Sequence, residues 1–271
     1  MSKRPPRVVQ IDTLPIDNIA FDEAVALIIE WARAGSGGYI NTPNVDHVVR
    51  ARRHEEFRAL ALGARLRVPD GMGIIYGSRL AGTPLLGPVT GRLLPEAVAR
   101  ASADDPLPTA LLGGRDDAPA TAARVLDAAG AQVIASIGPP MGFRIGGPED
   151  AETVEQLRRA EPRILYVGLG SPKQEQWMER HQAELPKTVM VGVGYAIDVL
   201  GGLVPAAPAW MTSVGLEWSF RLLKDPRRIG RRVFVDDPPF FWWMVRSRFA
   251  RRRKPVDARR TDDPPAQRAG R

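Results

Sequence analysis

Short apolar runs alternate with segments of helical periodicity along most of the chain. Six of these runs are bounded by Gly, Pro or polar residues, which is typical of buried strands in a parallel sheet. They lie at residues 39–40, 65–68, 107–112, 132–137, 164–167 and 188–193. Between them, apolar residues recur every three or four positions, and this spacing predicts helices that connect the strands.

The predicted helices cover residues 21–34, 47–62, 95–103, 118–129 and 151–160, and a further polar helix begins at Lys173. This repeated succession of strand and helix predicts an α/β fold whose mostly parallel sheet is flanked by helices. Residues 1–18 are predicted to be extended. Residues 73–91 are rich in Gly and Pro and carry no predicted helix.

Charge is divided unequally along the 271 residues. Residues 218–271 hold 16 Lys and Arg against 6 Asp and Glu, a net charge of +10, whereas residues 1–217 carry a net charge of −3. We therefore predict an α/β domain over residues 1–217, a basic and aromatic appendage over 218–254 and a disordered tail over 255–271. A strongly basic segment attracts polyanions such as anionic lipid, nucleic acid or phosphorylated substrates.

The appendage contains the aromatic block Phe240-Phe241-Trp242-Trp243-Met244-Val245, followed by Arg246 and Arg248. Aromatic rings beside cationic side chains are typical of an element that binds at a membrane interface. The alternative is a helix that packs its aromatic residues into the core. No apolar run approaches the roughly 18 residues that span a bilayer, so a membrane role is expected to be peripheral.

The chain contains no cysteine, which excludes disulfides and thiolate sites and fits a reducing cytoplasm. Its first residues carry charge but no apolar h-region, so no secretory signal is expected. The three histidines, at positions 47, 54 and 181, form no convincing metal-ligand cluster along the sequence.

Polar residues follow two of the predicted strands. Thr42 and Asn44 follow the strand at 39–40, and Asp70 follows the strand at 65–68. Ligands of open α/β sheets collect at the carboxyl ends of strands, which makes these residues candidates for a site. The alternatives are helix capping for Thr42 and Asn44, and a turn-forming aspartate before Gly71 for Asp70.

The strand at 164–167 leads into a glycine turn and the predicted polar helix. Gly168 and Gly170 permit a sharp turn that exposes backbone N–H groups, Ser171 is a predicted N-cap, and Pro172 suits the first helical position. Such a strand, turn and helix N-terminus can bind a phosphate. The Gly-x-Gly-x-Pro spacing is neither a P-loop nor a full dinucleotide fingerprint, so an ordinary βα turn remains the alternative.

Four ordered blocks resemble the WecG/TagA/CpsF family of bacterial glycosyltransferases over roughly residues 10–232. They are Thr42-Pro43-Asn44, Asp70-Gly71-Met72-Gly73, the stretch from Gly168 to Glu175, and Gly192-Val193-Gly194 with Asp198 leading to Gly215-Leu216-Glu217-Trp218 and Arg221-Leu222. The family includes the N-acetylmannosaminyltransferases of teichoic acid and enterobacterial common antigen synthesis.

This resemblance implies a Rossmann-like enzyme on the inner face of the cell membrane. It implies inverting transfer from a UDP-sugar to a polyprenyl-diphosphate-linked sugar, with no metal, no other cofactor and no nucleic acid partner. The catalytic residues implied are Asp70, as general base, and Thr42. The substrate-binding residues implied are Asn44, Gly168, Gly170, Gln174, Asp198, Arg221, Arg228 and Arg231, of which the three arginines approach the membrane and the diphosphate.

The chemistry of the residues agrees with that implication, since inverting transfer needs a base for the acceptor hydroxyl and cationic groups for the departing diphosphate. The chain departs from the family pattern at Pro88 and Arg92, and at Ala206, where relatives commonly have Arg-Ala-Pro. These departures leave the donor sugar open. The sequence by itself selects neither a polysaccharide pathway nor an oligomeric state, and a homo-oligomer is one of the states it allows.

Two other interpretations remain open. A Gly-x-Gly after a strand also suggests an NAD(P)-dependent oxidoreductase, although the third glycine and the acidic residue of that fingerprint are missing in register. The basic aromatic segment also suggests a non-enzymatic protein that binds lipid or nucleic acid.

Overall fold

A computed structural model describes residues 6–208, 211, 219–220, 223, 230 and 237–252. Its strands are β1 (Arg7–Ile11), β2 (Leu14–Asn18), β3 (Gly38–Asn41), β4 (Leu66–Arg67), β5 (Pro108–Gly113), β6 (Gln132–Ile137), β7 (Ile164–Gly168) and β8 (Val189–Gly192). Its helices are α1 (Phe21–Arg33), α2 (Val45–Arg53), α3 (Glu55–Gly63), α4 (Met72–Leu80), α5 (Leu94–Ala101), α6 (Ala118–Ala128), α7 (Pro148–Ala160), α8 (Lys173–His181), α9 (Ala196–Leu200) and α10 (Pro238–Arg252).

Six strands form one parallel sheet in the order β4-β3-β8-β7-β5-β6. The chain moves outward from β3 to β4 on one side and from β5 to β6 on the other, and β7 and β8 then fill the centre. These two central strands are fully apolar at their buried positions, as expected for strands covered on both faces. The predicted α/β fold with a parallel sheet flanked by helices is confirmed.

Two apolar clusters cover the two faces of the sheet. One is formed by α1, α5, α6 and α9, with Ile40, Leu111, Tyr166 and Val191 from the strands. The other is formed mainly by α7 and α8, with Tyr39, Leu112, Leu165 and Met190. Neighbouring strand residues therefore point to opposite faces, and both faces are buried.

A third apolar cluster lies beside the β4 edge of the sheet. The antiparallel hairpin β1–β2 packs there with α2, α3 and α4. Residues 6–18 are extended, as predicted, and their pairing into a hairpin is an addition to the prediction. Helix α10 completes the cluster, because Phe240 and Met244 are fully buried in it.

The contact between α10 and α4 depends on a glycine. A Cβ atom at Gly77 would overlap the ring of Phe240 and lie 3.3 Å from Cγ of Met244. Within the predicted aromatic block, Phe240 and Met244 thus face the body, while Trp242 and Val245 are exposed. Phe249, beyond the block, is also exposed. None of the helices described by the structure is both long and apolar enough to cross a membrane.

Two helix predictions were wrong. The helix predicted over residues 47–62 is broken at His54, which has extended backbone angles and separates α2 from α3. Helix α4 forms where no helix was predicted, within the Gly- and Pro-rich stretch. Its two internal glycines, Gly73 and Gly77, have no room for a side chain, since each lies against Val45 or Phe240.

Candidate active site

The candidate residues of the α/β domain gather at the carboxyl ends of the strands. Asp70 follows β4, Thr42 and Asn44 follow β3, Asp198 follows β8, and Gln174 follows β7. These four strands are adjacent and parallel, so their carboxyl ends open on the same side. The predicted position of these residues at strand ends is therefore what the structure shows.

Gly91 connects the two predicted catalytic residues. Its backbone N–H donates to Oδ1 of Asp70 (3.3 Å). A Cβ atom on Gly91 would lie 3.1 Å from Oγ1 of Thr42. The Thr42 hydroxyl is buried and donates to the carbonyl oxygen of Gly192 (2.8 Å) at the end of β8. Capping is therefore not the role of Thr42, which instead ties the β3 loop to β8.

Asp70 is partly buried in the loop after β4. Its backbone N–H donates to the carbonyl oxygen of Pro43 (2.9 Å), and Val89 N–H donates to the carbonyl oxygen of Pro69 (2.7 Å). These bonds fix the loop after β4 between the β3 loop and residues 88–93. A fixed, partly exposed carboxylate is suited to accept a proton from a bound hydroxyl.

Asn44 caps helix α2. Its Oδ1 accepts from the backbone N–H of His47 (3.4 Å) and lies 3.0 Å from Nδ1 of the same residue. The capping interpretation is thus confirmed for Asn44. The His47 ring extends further, and its Nε2 lies 3.2 Å from Oε1 of Glu175 at the start of α8.

Gln174 connects the ends of β7 and β8. Its Oε1 accepts from the backbone N–H of Gly194 (3.0 Å), and its Nε2 donates to Oε1 of Glu175 (2.9 Å). The Gln174 side chain is buried, so it acts as a fixed link between two loops.

The turn between β7 and α8 is built from glycines, as predicted. Gly170 has a φ of +77°, which favours glycine, and Gly168 lies so close to the next loop that a Cβ atom would be 2.7 Å from the carbonyl oxygen of Gly194. A Cβ atom at Gly113 would likewise overlap the carbonyl of Gly168. The predicted cap was wrong: Pro172, not Ser171, holds the N-cap position of α8, and no side chain caps it.

Asp198 lies on the first turn of α9 and faces the loop after β5. Its Oδ1 accepts from the backbone N–H of Arg115 (2.9 Å), and its Oδ2 is 3.5 Å from Nε of that residue. Arg115 is largely exposed, which places a cation at this end of the site.

Glu175 is the most deeply buried charged group of the site, with no exposed surface. Burial by itself would raise the pKa of its carboxyl group. Hydrogen bonding and charge from His47, together with the hydrogen bond from Gln174, outweigh burial and hold the pKa below the usual value for glutamate. Glu175 is therefore ionised at neutral pH.

Arg221, Arg228 and Arg231 lie outside the described residues. Within the part of the chain that the structure describes, no three His, Cys, Asp or Glu side chains are grouped as they would be to hold a metal ion.

Comparison with known proteins decides the family. The sequence model of the glycosyl transferase WecG/TagA/CpsF family matches residues 9–254. The protein belongs to this family. The resemblance seen in the four sequence blocks is thereby confirmed, the protein is a glycosyltransferase, and the oxidoreductase and non-enzymatic interpretations are not favoured.

Two relatives of this glycosyltransferase carry the same name, N-acetylglucosaminyldiphosphoundecaprenol N-acetyl-beta-D-mannosaminyltransferase. The one from Staphylococcus aureus (strain MW2) is 29% identical over 207 residues, which are 76% of this chain and 79% of the relative. The one from Bacillus subtilis (strain 168) is 26% identical over 200 residues, which are 73% of this chain and 76% of the relative.

Three residues that contact the candidate site were not predicted from the sequence: Gly91, His47 and Glu175. Gly91 and His47 stood in the sequence as a loop glycine and an isolated histidine. For Glu175 the sequence does contain a signal. It is a carboxylate in the first turn of a predicted helix, next to the predicted site residue Gln174, and such a residue is a candidate member of the site. Its partner His47 is 128 positions away, so the pairing itself required the fold.

Proposed function

We propose that the protein is a membrane-associated, inverting glycosyltransferase that moves a sugar from a UDP-sugar to a polyprenyl-diphosphate-linked sugar at the inner face of the cell membrane. One observation carries this proposal: the polar residues of the family blocks converge at the carboxyl ends of four adjacent strands. The names of both relatives describe transfer of N-acetyl-β-D-mannosamine to N-acetylglucosaminyldiphosphoundecaprenol, which supports a lipid-diphosphate acceptor and an amino-sugar donor.

In this reaction Asp70 is the general base. Its carboxylate accepts the proton of the acceptor hydroxyl as the hydroxyl oxygen forms a bond to the anomeric carbon of the donor. The bond from that carbon to the diphosphate oxygen breaks on the opposite face, and its electron pair leaves with UDP. The backbone N–H of Gly91 donates to the carboxylate and holds it in place. Thr42, whose hydroxyl is bound to the carbonyl oxygen of Gly192, lies beside Gly91.

The departing diphosphate needs positive charge nearby. The glycine turn after β7 and the N-terminus of α8 present partial positive charge. Arg115 adds a cation at the Asp198 end of the site. We therefore assign the diphosphate to the turn at residues 168–174 and propose that binding requires no divalent metal.

Docking on the membrane is assigned to the outward face of α10. Trp242, Val245 and Phe249 are 56%, 37% and 58% exposed and lie on the side opposite the buried Phe240 and Met244. The guanidinium of Arg246 stacks 4.3 Å from the Trp242 ring. Exposed aromatic residues with adjacent cations favour the headgroup region of an anionic bilayer, where the polyprenyl chain of the acceptor is anchored.

The test is transfer by the purified full-length protein. A panel of UDP-sugars is incubated with a short-chain polyprenyl-diphosphate-linked N-acetylglucosamine, with and without EDTA, and the lipid product is measured. We expect transfer from one amino-sugar donor, a β-linked product from an α-linked donor, and equal rates with EDTA. Transfer from no member of the panel would contradict the proposed reaction, and loss of activity in EDTA alone would contradict the metal-free part.

A further inference from the structure

Two buried pairs of histidine and carboxylate occur among the described residues. One is His47–Glu175 at the strand ends, and the other is His181–Asp150, between the far end of α8 and α7. The reaction described above gives Glu175 no role, although the side chain is fully buried and touches two site residues. A charged group in such a place needs a physical explanation, because burying a charge is costly.

A single oxygen atom of Glu175 makes its hydrogen bonds. Oε1 accepts from Nε2 of Gln174 (2.9 Å) and lies 3.2 Å from Nε2 of His47. Oε2 is buried and has no hydrogen-bond partner among the described residues. The ionised carboxylate can only accept, so both neighbours must present an N–H to it.

This requirement fixes the amide of Gln174. If the NH₂ group of Gln174 faces Glu175, its Oε1 must face the other way, where it accepts from the backbone N–H of Gly194 (3.0 Å). A reversed amide would place an oxygen against the carboxylate and an NH₂ group against an N–H. The charge on Glu175 therefore selects the one orientation in which Gln174 holds the β8 loop.

The same requirement fixes the ring of His47. With Nε2–H donating to Glu175, Nδ1 faces Asn44 in either protonation state of the ring. The imidazolium donates from Nδ1 to Oδ1 of Asn44 (3.0 Å), and the neutral ring accepts at Nδ1 from the backbone N–H of Asn44 (3.4 Å). In both cases the β3 loop stays attached to Glu175.

We propose that Glu175 is a positioning residue for sugar transfer, which sets Gln174 directly and Asn44 through His47. This inference rests on the proposed function. Glu175 touches no reacting atom. Instead, it joins the loops after β3 and β8 to the first turn of α8, and a misplacement of either loop changes the geometry in which donor and acceptor meet.

The first arm of the test is Glu175→Gln in the full-length protein. A neutral amide accepts more weakly and offers an NH₂ group as readily as an oxygen, so Gln174 loses its single orientation. We expect kcat/KM for the transfer to fall by about 10- to 100-fold. Hydrogen exchange of the Gly194 amide should become about two- to tenfold faster, because its bond to Gln174 weakens.

The second arm is a cycle with Gln174→Ala. If Glu175 acts largely through Gln174, the double variant should be little slower than Gln174→Ala alone. Fully multiplicative losses would overturn the assignment of Gln174 as the main link, because they would show that Glu175 acts independently of it. If Glu175→Gln does not fold, His47→Asn removes one of the two connections and is measured in the same way, with the β3 loop expected to lose protection.

Asp150→Asn is the matched control. The His181–Asp150 pair has a similar contact, with Nε2 to Oδ2 at 3.1 Å and both side chains buried. His181 lies seven residues along α8 from Gln174, about 10 Å away. This variant should lower Tm but leave kcat and KM unchanged.

An equal loss of activity in Asp150→Asn would show that any buried ion pair matters and would overturn the role of Glu175. So would wild-type kinetics and wild-type exchange of Gly194 in Glu175→Gln. Failure of the wild-type protein to transfer any sugar would instead contradict the proposed function, and the exchange of the Gly194 amide would still decide whether Glu175 orients Gln174.

Discussion

Asp70 lies in the connection between β4 and α4. It stands before Gly71, whose φ of +79° favours glycine and which holds the N-cap position of α4. The Asp70 side chain accepts from the backbone N–H of Gly91, in a segment at residues 88–93 that contains none of the predicted site residues. A turn alone would not require that contact.

Replacing Asp70 with Asn tests the base directly. The amide keeps the size of the side chain and can still accept from Gly91, so Tm should stay close to that of the wild type. The amide cannot take a proton, so kcat should fall by about 10²–10⁴-fold with little change in affinity for UDP. Steady-state kinetics and calorimetric titration of UDP measure the two effects.

The control for this substitution is Asp105→Asn, since Asp105 is exposed and pairs with Arg33 far from the strand ends. It should turn over at the wild-type rate. Near-normal turnover in a folded Asp70→Asn variant would remove Asp70 from the mechanism, and a collapsed Tm would assign it a structural role.

Glu175 gives a prediction for the pH dependence of stability. Its pKa in the folded protein is below the ordinary value of 4.5, so the ionised form stabilises the fold above pH 4.5. That contribution is lost as the pH falls from 4.5 through the folded-state pKa. The difference in free energy of unfolding between the wild type and Glu175→Gln should therefore shrink below pH 4.5.

Urea unfolding at neutral pH and near pH 4 measures this difference. The exposed Glu152→Gln should differ little from the wild type at either pH. A difference that grows on acidification would mean that protonation of Glu175 favours the fold, which is the opposite of the sign expected from its hydrogen bonds.

At the scale of elements, α4 is the helix that the sequence does not predict, and its two internal glycines are the reason. Glycine in a helix interior costs about 1 kcal/mol relative to alanine, and α4 contains two. Local propensity therefore argues against this helix. Its formation depends on close packing against Val45 and Phe240, and Phe240 lies more than 160 positions further along the chain, beyond the reach of any local pattern.

Gly77→Ala should therefore destabilise the protein although alanine is the better helix former. The added Cβ atom would overlap the Phe240 ring, and such overpacking costs about 1–3 kcal/mol. The midpoint of urea denaturation should fall accordingly. Phe240→Leu in the same background should recover part of the loss, because the shorter side chain leaves room.

The double variant is the internal control of that experiment. The loss in free energy of unfolding of the double variant should be smaller than the sum of the two single losses by more than about 0.5 kcal/mol, since the residues are in contact. Additive losses, or a more stable Gly77→Ala, would show that α10 does not pack on α4 through this pair.

At the scale of the whole molecule, charge and exposed aromatic residues together predict where the protein meets a membrane. The net charge of +10 over residues 218–271 should attract anionic vesicles, at about 1 kcal/mol for each Lys or Arg near the surface. Binding should weaken as salt rises from 0.15 to 1 M, because the Debye length falls from about 8 to 3 Å. Vesicle sedimentation measures this dependence.

Trp242→Ser should weaken binding to the same vesicles while Tm stays unchanged, because the ring is more than half exposed. Met141→Ser is the matched control. Met141 is fully exposed but lies in the loop after β6, at the edge of the sheet opposite β4 and α10. Equal weakening by both substitutions, or none by either, would contradict docking through the outward face of α10.

The sequence predicts the parallel sheet and the strand-end position of the site, because buried strands and polar turns are local patterns. Strand order is not local: β7 and β8 enter between β3 and β5 only through long crossovers. The same limit applies to the contacts within the site. Thr42 and Gly192 are 150 positions apart, and only the completed sheet brings them together.

The glycines at the ends of β5 and β7 have an evolutionary consequence. Gly113 lies against the carbonyl of Gly168, and Gly168 lies against the carbonyl of Gly194 and the side chain of Ile197, so neither position has room for a Cβ atom. Mutation at these two glycines therefore cannot add a substrate contact without moving the main chain. Divergence toward another sugar is expected at other positions, such as the segment at residues 88–93, which contacts Thr42 and Asp70 through Gly91.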